Sequence, residues 1–227
     1  VLERKQSVFS AVLGVQENYA FALSPNAGRD FYVSTKDFNG AKNNDRVIIK
    51  FKDWQPDKKS PSAEVVEVLG NSGESQTELE GIALDYNLPR NFSPELEKEA
   101  RKFSEQIESS EYKYRRDFRK TCTFTIDPSD AKDFDDAISI KQLPDNQTEI
   151  GIHIADVSYY LDQSVLLDEE AQKRATSVYL VHQVVPMLPE YLSNGLCSLR
   201  PKEEKRCFSV VVHVDKNGKI TSKWVGR

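Results

Sequence analysis

Residues 125–139 read TIDPSDAKDFDDAIS, and this stretch places a group of aspartates at the edge of a predicted sheet. Short apolar runs with strand-like alternation flank it on both sides, CTFTI before it and AISI after it. Like charges at this spacing repel one another, and a partly buried carboxylate is costly without a partner. A bound cation would reverse that repulsion, whereas the alternative is an acidic turn that is merely solvated. The aspartates are Asp127, Asp130, Asp133, Asp135 and Asp136.

The residue types in this stretch narrow the metal chemistry. Hard carboxylate oxygens favour magnesium or manganese over zinc. A calcium EF-hand loop counted from Asp127 does not fit, because Lys132 stands where glycine is needed and Ile138 where glutamate is needed. The sequence has no GxxxxGK[ST] loop for nucleotide hydrolysis. A metal-bound cluster would therefore be suited to phosphoryl transfer, with one ion activating water and another stabilising the leaving oxygen.

The composition limits the classes of protein to which this sequence can belong. A formal net charge of −5 over 227 residues argues against a surface that is basic throughout, although a local site can still bind nucleic acid. No apolar run approaches the roughly 18–20 residues of a membrane span, and no signal-peptide pattern is visible. Three widely spaced cysteines fit a reducing cytoplasm. Because the sequence starts at Val1 and ends in a strand-like pattern, we expect a fragment of a longer protein.

Differences in polarity and in the pattern of apolar residues divide the sequence into three regions. Residues 1–70 alternate short β-prone runs with turn signals, at the spacing of a small barrel or sandwich. Residues 71–120 are polar and predict a helical connector. Residues 121–227 return to strand alternation, with a helix at SVLLDEEAQKRAT and an Asn-Gly hairpin turn in DKNGK. The fold class predicted for the chain is therefore α+β.

The connector contains one helix signal and one basic run. Ser93 and Pro94 have the residue types of an N-cap and a first helical position, and apolar spacing extends the predicted helix to about Ser109. The run EYKYRRDFRK at 111–120 is equally typical of a solvated connector and of a strip that contacts phosphates.

Four blocks of the sequence resemble one known family, in the order in which that family has them. They are TIDPSDAKDFDDAIS, GIHIADVSYYL, LDEEAQKRATSVYLV and VPMLPEYLSNGLCSL, within roughly residues 122–214. On these blocks the sequence is identified as a member of the ribonuclease II/ribonuclease R family. The resemblance implies a 3′→5′ exoribonuclease that processively hydrolyses single-stranded or 3′-tailed RNA to nucleoside 5′-monophosphates. It also implies that residues 1–70 form an OB-type cold-shock barrel and that residues 121–227 are the first part of an incomplete α+β catalytic domain.

The resemblance also implies which residues do the chemistry. The family's tyrosine that packs against the terminal nucleotide matches Tyr179. The family's later arginines and glutamate, which contact RNA phosphates and assist cleavage, have no counterpart before Arg227, and Arg200 is the candidate phosphate contact within this chain. The catalytic aspartates that hold Mg²⁺, or alternatively Mn²⁺, correspond to Asp127, Asp133, Asp135 and Asp136.

Aromatic residues in the first region predict a surface for RNA bases. NYAFAL and DFYVS resemble the two nucleic-acid-binding motifs of cold-shock domains. Strand alternation puts Tyr19 and Phe21 on one face, and Tyr32 joins them from the neighbouring strand. Each base stacked on an aromatic ring is worth about 1–3 kcal/mol with little sequence preference. The predicted core of the barrel is Phe31, Val33, Val47 and Ile49.

Two other classes of function stay open. One is an RNA-binding protein that keeps the acidic site without catalysis, which the missing arginines favour and the intact aspartates oppose. The other is a DNA nuclease with the same metal chemistry. We expect a monomeric, cytoplasmic protein that needs no small-molecule cofactor. Polar residues expected to have structural roles are His153, His182 and His213, with Cys197 as a small buried residue and Asp156 as a helix cap or a partner of the site.

Overall fold

A computed structural model describes residues 6–181 and 183–227, which divide into two compact units. The first unit comprises the chain up to Asn91 together with Tyr179–Val185, and the second comprises Phe92–Val178 and Pro186–Arg227. No helix in the described part of the chain is both long enough and apolar enough to cross a membrane. His182, one of the predicted structural histidines, lies outside the described residues.

The first unit is built on a closed five-stranded barrel in which the strands neighbour one another in the order β1-β2-β3-β5-β4. All neighbouring pairs are antiparallel except β3 and β5, which are parallel. This architecture confirms the predicted OB-type barrel. The strands are β1 (Val8–Val15), β2 (Tyr19–Ser24), β3 (Arg29–Ser34), β4 (Asp45–Asp53) and β5 (Ser62–Asn71).

Alternation along these strands fills the barrel with small and β-branched side chains. Leu13 on β1 and Val33 on β3 have no exposed surface, and Ala20 and Ala22 of β2 are equally buried. Residues of opposite parity on β2 and β3 therefore face outward. The four residues predicted for the core, Phe31, Val33, Val47 and Ile49, are all buried there.

A helix that the sequence analysis did not predict, α1 (Ser75–Asp85), belongs to the first unit. Its Gly81 lies directly against the guanidinium of Arg46, a β4 residue that also forms an ion pair with Glu78 of the helix at 2.9 Å. A side chain at position 81 would occupy the space that the arginine fills. The helix was hard to recognise in the sequence, because the residues it buries, Thr77, Gly81 and Ala83, are small and do not form an apolar stripe.

The second unit contains an antiparallel sheet of five strands in the order β12-β11-β8-β7-β6. One face of this sheet is buried, with Ala137, His153 and Val211 among the buried side chains. Two further short strands, β9 and β10, form a separate two-stranded sheet that groups with the first unit except for Val178. The strands are β6 (Cys122–Phe124), β7 (Asp136–Gln142), β8 (Thr148–Ala155), β9 (Val178–Leu180), β10 (Gln183–Val185), β11 (Cys207–Val214) and β12 (Ile220–Gly226).

Helices pack together to form the second unit's apolar core. They include α2 (Pro94–Ala100), α3 (Val157–Leu161) and α4 (Val165–Arg174), and a π-helix spans Tyr191–Leu196. The Ser93 hydroxyl accepts a hydrogen bond from the amide of Leu96 at 3.2 Å, which confirms the predicted N-cap. Leu96, Ala100, Tyr160, Leu167, Leu192 and Leu196 are buried in this core.

The predicted helix from Ser93 to Ser109 is too long, since α2 ends at Ala100. The amides of Lys102 and Phe103 bond to the carbonyls of Glu99 and Ala100, so the chain tightens and leaves the α-helix there. A distant arginine holds the segment that follows. Arg206 donates to the backbone carbonyls of Ser104 (3.5 Å) and Gln106 (3.2 Å) and pairs with Glu111 at 2.7 Å. Carbonyls that accept from a guanidinium replace the helical hydrogen-bonding pattern with an irregular segment that wraps around Arg206.

Candidate metal centre and nucleic-acid interface

The acidic stretch forms the connection between β6 and β7, with Asp136 as the first residue of β7. We call residues 125–136 the aspartate loop. In the sheet register Asp136 lies opposite Ile154, and the amide of Ala155 donates to the carbonyl of Asp135 at 3.0 Å. The aspartate loop therefore joins the sheet where the pairing of β7 with β8 ends. This pairing fixes the position of the backbone at Asp135 and Asp136.

A second set of hydrogen bonds fixes the middle of the aspartate loop. The Ser198 hydroxyl donates to the carbonyl of Lys132 (2.8 Å) and accepts from the amide of Phe134 (3.0 Å). The amide of Leu199 donates to the carbonyl of Phe134 at 2.8 Å. These residues come from the SNGLCSL block, which the sequence analysis matched to the family without assigning it this role. A small polar residue in an otherwise apolar stretch was the available signal.

Electrostatics show which aspartates act on one another. The pKa of Asp135 is raised, first by partial desolvation and then by the negative charges of Asp133, Asp136 and Asp127. Its side chain still reaches solvent, as do those of the other three aspartates. Asp130 is not among the groups that shift this pKa, so the four that interact are the four that match the family's catalytic motif.

The chemistry of this donor set fits a hard divalent cation. All four groups are carboxylates, the donor type that magnesium and manganese prefer. Over residues 6–181 and 183–227, however, no three His, Cys, Asp or Glu side chains stand close enough together to hold a metal ion. Mutual repulsion of the carboxylates opposes their closing into a cage around an empty site.

The basic run of the connector is used for ion pairs inside the second unit. Arg116 pairs with Glu149 at 2.7 Å, and Arg119 pairs with Asp117 and Glu204, each at 2.8 Å. Arg115 binds the buried carboxylate of Asp156 at 2.9 Å. These three arginines are therefore paired with carboxylates, while Lys113 and Lys120 of the same run are exposed. The ion pairs do not decide between a solvated connector and a strip that contacts phosphates.

Asp156 is a buried ion-pair partner. It begins α3, yet its side chain makes no capping hydrogen bond to that helix. Its carboxylate instead accepts from Arg115 and lies 3.3 Å from Nε of Arg227. Of the two roles expected for it, the helix cap is therefore wrong as far as the side chain is concerned.

The two described histidines and Cys197 have the structural positions expected of them. His153 lies between two serine hydroxyls, with Ser139 on Nε2 and Ser209 on Nδ1, both at 2.8 Å. His213 lies 3.0 Å from the carboxylate of Glu149. Cys197 is buried in the core of the second unit.

Arg200 lines a cavity of about 740 Å³ in the second unit. Phe118, Phe134 and His153 also border this cavity, together with several of the ion-paired arginines. The Arg200 amide donates to the carbonyl of Ser198 at 2.9 Å, so its position follows that of the segment that holds the aspartate loop.

On the first unit, the predicted aromatic residues form a group on the outer face of the barrel. The rings of Tyr19 and Tyr32 are stacked with centroids 5.7 Å apart, and Phe21 meets Tyr19 edge-on at 5.5 Å. Tyr19 is 36 % exposed and Tyr32 39 %. We call these three residues the aromatic platform.

Tyr179, the remaining predicted RNA contact, lies in β9 and groups with the first unit. Its side chain is 64 % exposed, which excludes the role of a core tyrosine that its apolar neighbours would otherwise favour.

Family models match both units of the chain. A model described as the RNB domain matches residues 115–227, and one described as a cold shock domain matches residues 22–93. Ribonuclease R of Thermotoga maritima is 38 % identical over 224 residues, which are 97 % of this chain and 32 % of that protein. The chain belongs to the ribonuclease II/ribonuclease R family. It spans about a third of the length of the ribonuclease R proteins that it matches.

Two solved structures share the fold of this chain. Mycoplasma genitalium RNase R in complex with ribose-methylated single-stranded RNA aligns with a TM-score of 0.87 at 28 % identity, covering 99 % of this chain and 36 % of that one. Yeast Ssd1, a pseudonuclease, aligns with a TM-score of 0.66 at 24 % identity, covering 100 % of this chain and 30 % of that one. Because a pseudonuclease has the same fold, the fold of the ribonuclease II/ribonuclease R family does not by itself establish catalysis.

Proposed function

We propose that this chain supplies a barrel and the first part of the catalytic domain of a 3′→5′ exoribonuclease that hydrolyses RNA processively to nucleoside 5′-monophosphates. The observation that carries the proposal is the aspartate loop itself, which brings the four motif aspartates together on a backbone held by Ser198 and Ala155. The charges of three of them raise the pKa of the fourth, Asp135. Membership of the ribonuclease II/ribonuclease R family supports the reaction class.

Magnesium is the proposed cofactor, with manganese as the alternative. When bound, such ions lower the pKa of an attacking water and neutralise charge on the phosphodiester oxygens. The protein's own part is to present carboxylates from a backbone that Ala155 and Ser198 hold in place, because ligands that are fixed beforehand need less ordering on binding. The residues assigned to hold the ion are Asp127, Asp133, Asp135 and Asp136.

The aromatic platform is the proposed site for RNA bases on the barrel. Tyr19 and Tyr32 present exposed, stacked rings on neighbouring strands, and each stacked base contributes about 1–3 kcal/mol regardless of its identity. An exonuclease that accepts any sequence needs this kind of contact. Mycoplasma genitalium RNase R has been solved with single-stranded RNA, which supports single-stranded or 3′-tailed RNA as the substrate.

Two further residues are proposed to contact RNA. Tyr179 is assigned to the terminal nucleotide, since 64 % of its surface is exposed. Arg200 is assigned to a phosphate, since the same segment that binds the aspartate loop carries it. The chain covers about a third of its ribonuclease R relatives, so we propose that full activity requires a region corresponding to the rest of those proteins.

We also propose that the protein is cytoplasmic and monomeric. All three cysteines are free in the structure. Burial raises the pKa of Cys197 to about 12 and that of Cys207 to about 11, so both thiols stay protonated and unreactive at neutral pH. Light scattering after size-exclusion chromatography under reducing conditions tests the oligomeric state, and a dimer mass would contradict it.

A second candidate function is RNA binding without catalysis. Yeast Ssd1, the pseudonuclease with this fold, is the observation that favours it. The two functions differ in whether they depend on Asp135. RNA binding requires the tyrosines of the aromatic platform but does not require the Asp135 carboxylate, whereas catalysis requires that carboxylate.

The deciding experiment measures mononucleotide release from a 3′-tailed single-stranded RNA with Mg²⁺ or Mn²⁺. The 227-residue chain and the full-length gene product are compared, with ribonuclease R of Thermotoga maritima as a positive control. Asp135→Asn should abolish release, whereas Asp130→Asn, a change of the same kind in the same loop, should leave it within about threefold. If no form releases nucleotides but RNA still binds, the binding function replaces the enzyme. Equal cleavage of a DNA of the same sequence would favour a nuclease without RNA preference.

A further inference from the structure

The Ser198 side chain connects the segment after the π-helix to the aspartate loop. It has no exposed surface, and its single hydroxyl both donates to Lys132 and accepts from Phe134. Asp133 lies between those two positions, and Asp135 follows directly after them. One buried hydroxyl therefore spans the backbone on either side of a proposed metal ligand.

Neighbouring hydrogen bonds extend this attachment. The amide of Leu199 donates to the carbonyl of Phe134, and the amide of Ala155 donates to the carbonyl of Asp135. The Ser198–Leu199 segment and β8 thus hold consecutive carbonyls from two directions. Because the loop's carboxylates repel one another, a backbone without these bonds would be pushed towards a more open form.

The segment that carries Ser198 is itself firmly held. The π-helix Tyr191–Leu196 buries Leu192 and Leu196 in the core, and the amide of Cys197 donates to the carbonyl of Leu192 at 2.8 Å, which closes a π-turn of six residues. The Lys205 ammonium donates to the carbonyl of Gly195 at 2.8 Å. Single π-turns are rare and frequently lie at functional sites. Here the wider turn places Ser198 against the aspartate loop.

We infer that Ser198 is a positioning residue for the metal-binding carboxylates. Its hydroxyl sets the backbone that flanks Asp133 and precedes Asp135, and thereby the metal affinity of the aspartate loop. This inference rests on the proposed metal chemistry. Loss of a hydrogen bond that orients a metal ligand typically weakens affinity on the order of 10–100-fold, so Ser198→Ala should raise the dissociation constant for Mn²⁺ by at least about tenfold.

The test measures Mn²⁺ binding to the 227-residue chain through the electron paramagnetic resonance signal of the free ion. Ser164→Ala is a closely matched control. Its buried hydroxyl also makes one donated and one accepted bond, to Glu99 at 3.1 Å and from Leu167 at 3.4 Å, at the start of α4. A general loss of stability would affect both variants alike, whereas positioning of the aspartate loop would be lost only in Ser198→Ala.

Ser198→Cys separates the loss of the hydroxyl's hydrogen bonds from the loss of side-chain volume, because a thiol is close in size to a hydroxyl but forms only weak hydrogen bonds. The inference expects weakened Mn²⁺ binding as in Ser198→Ala, together with faster amide exchange in a peptide covering residues 128–136. Wild-type affinity in either variant, while Asp135→Asn still abolishes binding, would overturn the role of Ser198 and leave the proposed metal site standing. The metal proposal fails if the wild-type chain binds no Mn²⁺, or if the Mn²⁺ that it binds is retained by Asp135→Asn. The positioning role of Ser198 then fails with it.

Discussion

The carboxylate of Asp156, which has no exposed surface, accepts a hydrogen bond from the guanidinium of Arg115 at 2.9 Å. Arg227 approaches the same carboxylate oxygen at 3.3 Å. The pair joins the end of β8 to the connector, 41 residues earlier in the sequence. Arg115 is the most buried of the connector's three ion-paired arginines, since Arg116 and Arg119 keep more than a third of their side-chain surface exposed.

Removing the charge at Asp156 should destabilise the second unit. Asp156→Asn leaves Arg115, a mostly buried cation, without its principal partner, and breaking a buried pair typically costs about 3–5 kcal/mol. Arg115 still forms an ion pair with Glu111 at 3.4 Å, so we expect a loss of unfolding free energy near the lower end of that range. Urea unfolding in a Trp54→Phe background, followed by Trp224 fluorescence, would report the second unit. Asp117→Asn, which weakens a half-exposed ion pair with Arg119, should lower the free energy of unfolding by less than about 1 kcal/mol. An equal loss in both variants would contradict the hypothesis that burial makes the Arg115–Asp156 pair the more important one.

His153 should make the stability of the second unit depend on pH. Burial, followed by the charge of Arg116, lowers its pKa below the ordinary value of 6.5. The folded state therefore holds a neutral ring, and its stability is fully present above pH 6.5. It falls as the pH drops from 6.5 towards the folded pKa, because the unfolded state takes up the proton first. His153→Gln should reduce the decline in unfolding free energy between pH 7.5 and 5.5. An unchanged decline would show that other groups cause it.

The aromatic platform should contribute to RNA affinity one stacked base at a time. Tyr19→Ala removes a ring stacked on Tyr32, and a loss of about 1–3 kcal/mol corresponds to roughly 5-fold to 150-fold weaker binding. Fluorescence anisotropy with a labelled oligouridine would measure it. Tyr86→Ala removes an exposed tyrosine at the end of α1 and should leave the affinity unchanged. Equal effects of the two substitutions would remove the platform from the binding surface.

Gly81 should be intolerant of a side chain only while Arg46 is present. A Cβ at position 81 would overlap the arginine's Nε, and overpacking of this kind typically costs about 1–3 kcal/mol. In an Arg46→Ala background the overlap disappears, and Gly81→Ala should instead stabilise α1 by roughly 0.5–1 kcal/mol. Thermal unfolding of the four proteins in this cycle would show the reversal. The same sign in both backgrounds would contradict the packing explanation.

The local sequence pattern was sufficient to predict most of the strands and the N-cap at Ser93. Alternation in DFYVS and DRVIIKF predicted which residues of β3 and β4 fill the barrel, since a strand inevitably turns successive side chains to opposite faces. The Ser93 cap was equally predictable, because it depends on bonds over three residues. The irregular segment that follows α2 was not predictable, since it is held by a guanidinium 100 residues later along the chain, which donates to the carbonyl of Gln106.

By itself the sequence determined the barrel and the α+β class, because strand alternation is written in neighbouring residues, and it showed a cluster of five aspartates, from which the resemblance to the family selected four. Only the tertiary structure decided what holds those aspartates and what neutralises the basic run. Ser198 reaches Lys132 across 66 positions, and Arg119 reaches Glu204 across 85. Hydrogen bonds and ion pairs act over about 3 Å in space, whatever the separation along the chain, so these partners became known only once the fold brought them together.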